Sequence, residues 1–278
     1  MSRPQYCPDL DLALLLETAE AIASRNFCEA AAAIHPESDI RVFPLCGDAS
    51  GLYYGKSNPL NAVKGAGLNG PVDQKRWDAL EEFHRSAPSP VVIDLCPLAD
   101  DAFIAMLSSR GYTIGSFETV TFRVLEAALT TPSTINPNPA LRIAQVSRDE
   151  ADAWSRVIDT GFADGGEPFN FGIDIGKVRS GLSQTVSLLA TIDGIPAGGA
   201  AMSIHREVAH LCGAAVLPAF RRRGVQQALT AARLEIAQSR GCNLAKLDVR
   251  AGTPSHRNAC RAGFQVAYTR PQLVKAFA

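Results

Sequence analysis

Three consecutive arginines, Arg221, Arg222 and Arg223, stand directly before Gly224 in the stretch "AVLPAFRRRGVQQAL", where a strand gives way to a helix-patterned segment. The helix macrodipole already puts partial positive charge at a helix N-terminus and favours acids there. Arginines gathered at such a point need an anion. The first backbone N–H groups of a helix have no intrahelical partner, and a glycine in the turn lets the backbone close around a phosphate. The amides from Arg222 through Gly224, Val225 and Gln226 to Gln227 can therefore cradle a pyrophosphate, while the guanidinium groups add charge-assisted hydrogen bonds to the same oxygens. Metal chemistry is not indicated. The seven cysteines (Cys7, Cys28, Cys46, Cys96, Cys212, Cys242, Cys260) are an odd number with no C-x-x-C pair, and no histidine stands at ligand spacing from another. They read as reduced thiols in or near the core.

The 27 basic and 28 acidic side chains nearly cancel over 278 residues. There is thus no global attraction to nucleic acid or to an anionic membrane, and the arginine cluster reads as a local site. No apolar run approaches membrane-spanning length. The opening "MSRPQYCPDLDLALLLETAEAIA" carries acids before and after its apolar patch, which suits an amphipathic helix better than a signal peptide. A soluble cytoplasmic protein is expected.

The elements that must position the arginine turn lie in the second half of the chain. "LTTPSTINPNPAL", Leu129 to Leu141, is rich in Pro, Ser, Thr and Asn and reads as a linker. After it, "LRIAQV" predicts a short strand, and "RDEADAWSRVIDTGF" a helix with Ala151, Trp154, Val157 and Ile158 on one face. "SLLATIDGIPAGGAAMSIHREVAHLCGAAV" predicts strands turning at Asp193-Gly194 and around His205-Arg206-Glu207. A helix follows from about Val225 to Arg240, then a stop at Gly241, the strand "LAKLDV", a helix from Ser255 and a last strand. The two halves are weakly alike: "LSSRGYTIGSFETVTFRV" from Leu107 parallels "CRAGFQVAYTRPQLVKAF" from Cys260, with Gly111 and Gly263 at left-handed positions past a helix. "NAVKGAGLNGPVDQKRWDALEEF" likewise parallels the segment around the arginine turn.

The segment from Leu141 resembles the GNAT superfamily of acetyl-CoA-dependent N-acetyltransferases. The likeness rests on the apolar pair Ala215-Val216, the turn "RRRGVQ" with Arg221 and Gly224, and the helix ending in Gly-Phe within "RNACRAGFQV". Gln226 stands where the family has Gly or Ala. The resemblance implies an α/β fold, a mixed and mostly antiparallel sheet flanked by helices, duplicated here. Residues 1–128 would be a degenerate first domain, 129–140 the linker and 141–278 the acetyltransferase domain. In the first half the matching turn is "GLNGPV", with no arginine before Gly70 and with Pro71 removing an amide.

The same resemblance implies acetyl-CoA as cofactor, bound by the arginine turn, and a local break in a central strand. That break leaves a backbone N–H over Ala214, Ala215 and Val216 for the thioester carbonyl and pantetheine, and Gly213 would ease it. "KLDVR" resembles a family strand whose acid is the general base, here Asp248. A structural Asp248 paired with Arg250 or Arg206 is the rival, and His210 is a second candidate base. Many members place a tyrosine as general acid where this chain has Ala259, while Tyr268 reads as a core residue. Ser255 and Asn258 are cast as pantetheine or helix-capping contacts. The implied reaction is acetyl transfer to a small-molecule or peptide amine. A non-catalytic acyl-CoA-binding regulatory module is the alternative, and a structural protein keeping only the fold a third reading.

Overall fold

The computed structural model describes residues 8–125, 138–163, 167 and 171–277, so Cys7 and most of the expected linker lie outside the described residues. The chain divides into two units that interleave in sequence. The first holds the residues up to Thr121 together with Asp248–His256 and those from Gln265 onward; the second holds Phe122–Leu247 and Arg257–Phe264.

The first unit opens with α1 (Leu10–Ile34), whose start is capped by Asp9 accepting from the Leu12 N–H at 3.0 Å. There follow β1 (Arg41–Pro44), β2 (Ser50–Tyr53), β3 (Ala62–Lys64), α2 (Gln74–Ser86), β4 (Val91–Asp94), α3 (Asp101–Ser109) and β5 (Thr113–Val124). The strand order is β1-β2-β3-β4 and then β11 (Gln265–Lys275), with β5 beyond it. The chain's last strand thus lies between two strands of its first half. β11 runs antiparallel to β4, with Leu273 opposite Ile93, and only the β3–β4 contact is parallel among the registered pairs of this unit. Trp77, Leu80, Ile93, Phe103 and Leu107 form the core beneath the sheet.

The second unit comprises β6 (Leu141–Gln145), α4 (Ala151–Phe162), α5 (Ile175–Ser180), β7 (Thr185–Ile192), β8 (Ile195–His205), β9 (Val208–Val216), α6 (Val225–Ser239), β10 (Leu244–Val249) and α7 (Pro254–Arg261). Its strand order is β10-β9-β8-β7-β6, antiparallel except for β9 and β10. The sequence patterns explain these elements. Along β7 the residues Val186, Leu188, Ala190 and Ile192 are buried at every second position, as a pleated strand requires. The β7–β8 hairpin turns at Asp193-Gly194, both with positive φ (52° and 77°), the geometry whose twist suits a two-residue loop. On α6 the buried positions Val225, Leu229, Arg233 and Ala237 recur every fourth residue, so one stripe faces the sheet. No helix among the described residues is long and apolar enough to cross a membrane.

Candidate functional site

β9 and β10 begin side by side and then part. Their parallel register runs from Leu244 opposite Val208 to Leu247 opposite Leu211, although β9 continues to Val216. From Cys212 on, one edge of β9 has therefore lost its β10 partner. On the other edge β9 stays with β8, but the register slips: Ala201 faces Cys212 while Gly199 faces Ala215. Gly213 and Ala214 thus stand against Ala200 alone, a β-bulge, and Gly213 takes the left-handed φ of 53° that the bend demands. The backbone of Ala214–Val216, picked from the sequence, is the stretch this break sets apart.

Just past it, Pro218–Phe220 forms a short 3-10 turn and leads through the arginines into α6. Gly224 is the residue before the helix, left-handed at φ 80°, and α6 has no side-chain cap. The first intrahelical bond runs from the Ala228 N–H to the Gly224 carbonyl at 3.0 Å. The N–H groups of Val225, Gln226 and Gln227 therefore lie outside the helix's own ladder. A Cβ placed on Gly224 would meet nothing within 4 Å, so the turn is open on that side. The three arginines are exposed and differ in what they do. Arg221 folds back on the backbone, donating from Nε to the Val216 carbonyl at 3.3 Å and from Nη2 to that of Gly161 at 3.4 Å. Arg223 lies over the Phe220 ring, 5.4 Å from its centroid. Arg222 holds a left-handed φ of 61°. Open amides beside arginines suit the pyrophosphate and ribose phosphate of coenzyme A. Gln226 is half-buried within regular helix, and its carbonyl accepts from the Thr230 hydroxyl at 2.9 Å.

The catalytic candidates are placed differently. His210 is half-buried on β9, opposite Ser203 of β8 and level with Lys246 of β10. Asp248 follows directly on Leu247 and belongs to the first unit. Its partner is neither Arg250 nor Arg206 but Arg270 of β11, with Nη2 to Oδ2 at 3.9 Å. At α7 the cap is Thr253, whose hydroxyl accepts from the His256 N–H at 3.2 Å; Ser255 is exposed, and Asn258 Oδ1 accepts from Arg261 at 2.8 Å. Ala259 is buried at 1% exposure, and the Tyr268 hydroxyl donates to Glu17 at 2.7 Å. Burial, then the Glu17 charge, push that phenol well above the usual tyrosine range, so it keeps its proton.

Sequence reasoning missed the charge network around Arg270. This guanidinium, 1% exposed, donates from Nη1 to Glu17 at 2.9 Å and to Glu20 at 2.8 Å, and from Nη2 to Glu118 at 2.8 Å, with Asp94 at 3.5 Å. Lys64 binds Glu20 at 2.6 Å and also binds Asp94. Burial drives Asp94 up, but Lys64 and Arg270 outweigh it and hold the carboxyl below its ordinary value. For Glu118 burial and the neighbouring Asp248 prevail, and its carboxyl is raised. One signal was present in the chain: Glu17 and Glu20 interrupt the apolar run of α1 at a spacing that puts both on one helix face.

Comparison with known proteins relates the fold to solved acetyltransferases. The model of the Acetyltransferase (GNAT) family matches residues 167–264. Among solved structures, the tandem GNAT protein from the clavulanic acid biosynthesis pathway superposes with a TM-score of 0.59 at 13% identity, over 92% of this chain and 95% of that one. The GCN5-related N-acetyltransferase from Kribbella flavida gives 0.57 at 20% identity, over 91% and 95%. That from Sphaerobacter thermophilus gives 0.55 at 17%, over 73% of this chain and 66% of its own. No curated protein sequence matches. Residues 167–264 thus match the model of the GNAT acetyltransferase family, and the fold is similar to that of the tandem GNAT protein.

Proposed function

We propose that this protein is a cytoplasmic N-acetyltransferase that moves an acetyl group from acetyl-CoA directly to an amine. The observation that carries the reading is the pairing of an uncapped, arginine-flanked helix start at Gly224 with a bulged strand that has parted from its neighbour. The proposed organisation is a first domain over 1–128, a connector over 129–140 and an acetyltransferase domain over 141–278, whose last strand is lent to the first unit. Arg221, Arg222 and Arg223 with the amides of Gly224, Val225, Gln226 and Gln227 would hold the phosphates, and Ala214–Val216 the pantetheine arm, with Asn258 and Ser255 at its side. The cofactor supplies an acyl group already activated as a thioester. Asp248 takes the proton from the acceptor ammonium at its carboxylate, and His210 is the second candidate for that task. The acceptor is a small-molecule or peptide amine. The acidic stretch "FADGGEPFNFGIDIG" suits a cation, though 164–166 and 168–170 lie outside the described residues.

The first half would bind no coenzyme. At the start of α2 Asp73 accepts from the Lys75 and Arg76 N–H groups at 2.9 and 3.2 Å. Amides that are open at α6 are here taken, and by a carboxylate that repels phosphate. A non-catalytic acyl-CoA-binding module is the second reading, favoured by Ala259 in the tyrosine position and by Tyr268 being tied to Glu17.

Turnover against pH tests the proposal. With a panel of amines, wild-type protein should release thiol from acetyl-CoA, and Asp248→Asn should lower the rate by about a hundredfold to ten-thousandfold. The loss should narrow as pH rises toward the amine's own pKa, because more acceptor then arrives neutral. Coenzyme binding without thiol release from any amine would favour the binding module, and a folded Asp248→Asn with wild-type rates would remove Asp248 from the mechanism.

A further inference from the structure

Position 233 of α6 lies on the stripe that faces the sheet, between Leu229 and Ala237, where the pattern demands an apolar residue. The chain has an arginine there, wholly buried. Its four acceptors are all uncharged: Nε donates to the Leu229 carbonyl at 3.2 Å, Nη1 to the carbonyls of Ala201 at 3.1 Å and Cys212 at 3.4 Å, and Nη2 to the Thr230 hydroxyl at 3.4 Å. Burial pushes the guanidinium down to about 10, which still leaves it charged at neutral pH. A leucine would fill this place without desolvating a charge. What a leucine lacks is a donor for the two strand carbonyls. Ala201 and Cys212 are the last facing pair before the register slips into the Gly213-Ala214 bulge. At a bulge the ladder is disrupted, and a buried carbonyl left without a donor is costly. One guanidinium nitrogen, Nη1, reaches both strands at that pair.

We propose that Arg233 is a positioning residue that staples β8 to β9 at the edge of the bulge and so sets the backbone of Gly213–Val216 in the conformation that receives the acyl-pantetheine arm. The staple itself is a property of the free protein; its consequence for the arm rests on the coenzyme reading above. Arg233 touches no phosphate-binding residue by these bonds. Its loss should therefore weaken binding of the pantetheine part and spare the nucleotide part.

The experiment has two independent arms, run on the full chain as wild type, Arg233→Met and Arg233→Gln. Amide hydrogen exchange without ligand should show Gly213–Val216 exchanging about tenfold faster or more in Arg233→Met, with Arg233→Gln between, since charge-assisted bonds are the stronger ones. Calorimetry with coenzyme A and with adenosine 3′,5′-diphosphate should show about a tenfold loss for coenzyme A and little change for the nucleotide. If Arg233→Met does not fold, Arg233→Gln, which keeps one forked amide, decides by the same readouts. A folded variant matching wild type in both exchange and coenzyme A affinity overturns the proposal, as does an equal loss for coenzyme and nucleotide. Wild-type protein that binds no coenzyme A would instead defeat the coenzyme reading, and the exchange arm would still judge the staple.

Discussion

Arg222 and Gly224 bracket the candidate phosphate cradle, and both are left-handed, at φ 61° and 80°. An L-residue in that region costs about 1–2 kcal/mol, which glycine avoids. Arg222 keeps the strained backbone all the same, and a guanidinium useful to an anion is a reason to keep it. Arg222→Gly should therefore raise the stability of the free protein by up to ~1 kcal/mol in urea unfolding while weakening coenzyme A binding in calorimetry. Gly224→Val should act with the opposite sign on stability, losing about 1–2 kcal/mol. It also puts a branched side chain into the open space at the turn that leads into α6. The coenzyme-induced rise in melting temperature should vanish in that variant, and an undiminished rise would show that the phosphates bind elsewhere.

Among the elements, the starts of α2 and α6 show what one residue at a helix entrance decides. Asp73 closes the first and Gly224 leaves the second open. Asp73→Ala should cost about 1 kcal/mol, the usual value of a side-chain cap, seen as a lower melting temperature. Coenzyme stoichiometry should stay at one per chain, because no arginine stands in the turn before Asp73. Elsewhere in the first unit, Arg270 ties α1 to β11 through Glu17 and Glu20. Arg270→Met leaves these carboxylates buried without their main cation, at about 3–5 kcal/mol. The sign of the pH dependence follows from Asp94, which Lys64 and Arg270 hold below its ordinary value against burial. Its contribution is present above the unfolded pKa and is lost as pH falls through the folded one. The variant lacks part of that contribution, so its deficit should be full at neutral pH and should narrow only below about pH 4, as the carboxyl protonates. A deficit that stayed constant across urea titrations in this range would mean that packing, not charge, dominates the site.

For the molecule as a whole, the interleaving of the two units decides what can be cut. β11 comes from the end of the chain yet pairs with β4 of the first unit. A fragment ending at residue 128 would lose that strand and with it Arg270, leaving Glu17 buried without that cation and Glu20 with Lys64 alone. Such a fragment should fail to fold alone. Breaking the chain inside 129–137 while producing both pieces together should instead return a folded complex, since the break leaves every registered strand pair intact. Circular dichroism of the single fragment and gel filtration of the pair check this. A cooperatively melting fragment 1–128 would show that the first unit does not need its borrowed strand.

The sequence by itself determined the features whose physics is local. Glycines past helix ends were legible because only they take φ near 80° freely, and Gly111, Gly241 and Gly263 all do. The α6 entrance was legible because arginines before a glycine and a helix conflict with the macrodipole unless an anion is expected. The parting of Ala214–Val216 from β10 was foreshadowed by Gly213. Tertiary structure alone decided the partners of buried charge. Arg270 meets Glu17 across 253 positions of sequence and Arg233 meets Ala201 across 32, and no periodicity encodes such pairings. Arg250 and Arg206 were the nearer guesses for Asp248 because proximity in sequence is all that a chain read in order displays. A buried carboxylate takes the cation that the sheet register brings to it, and that register is set by the packing of every strand at once.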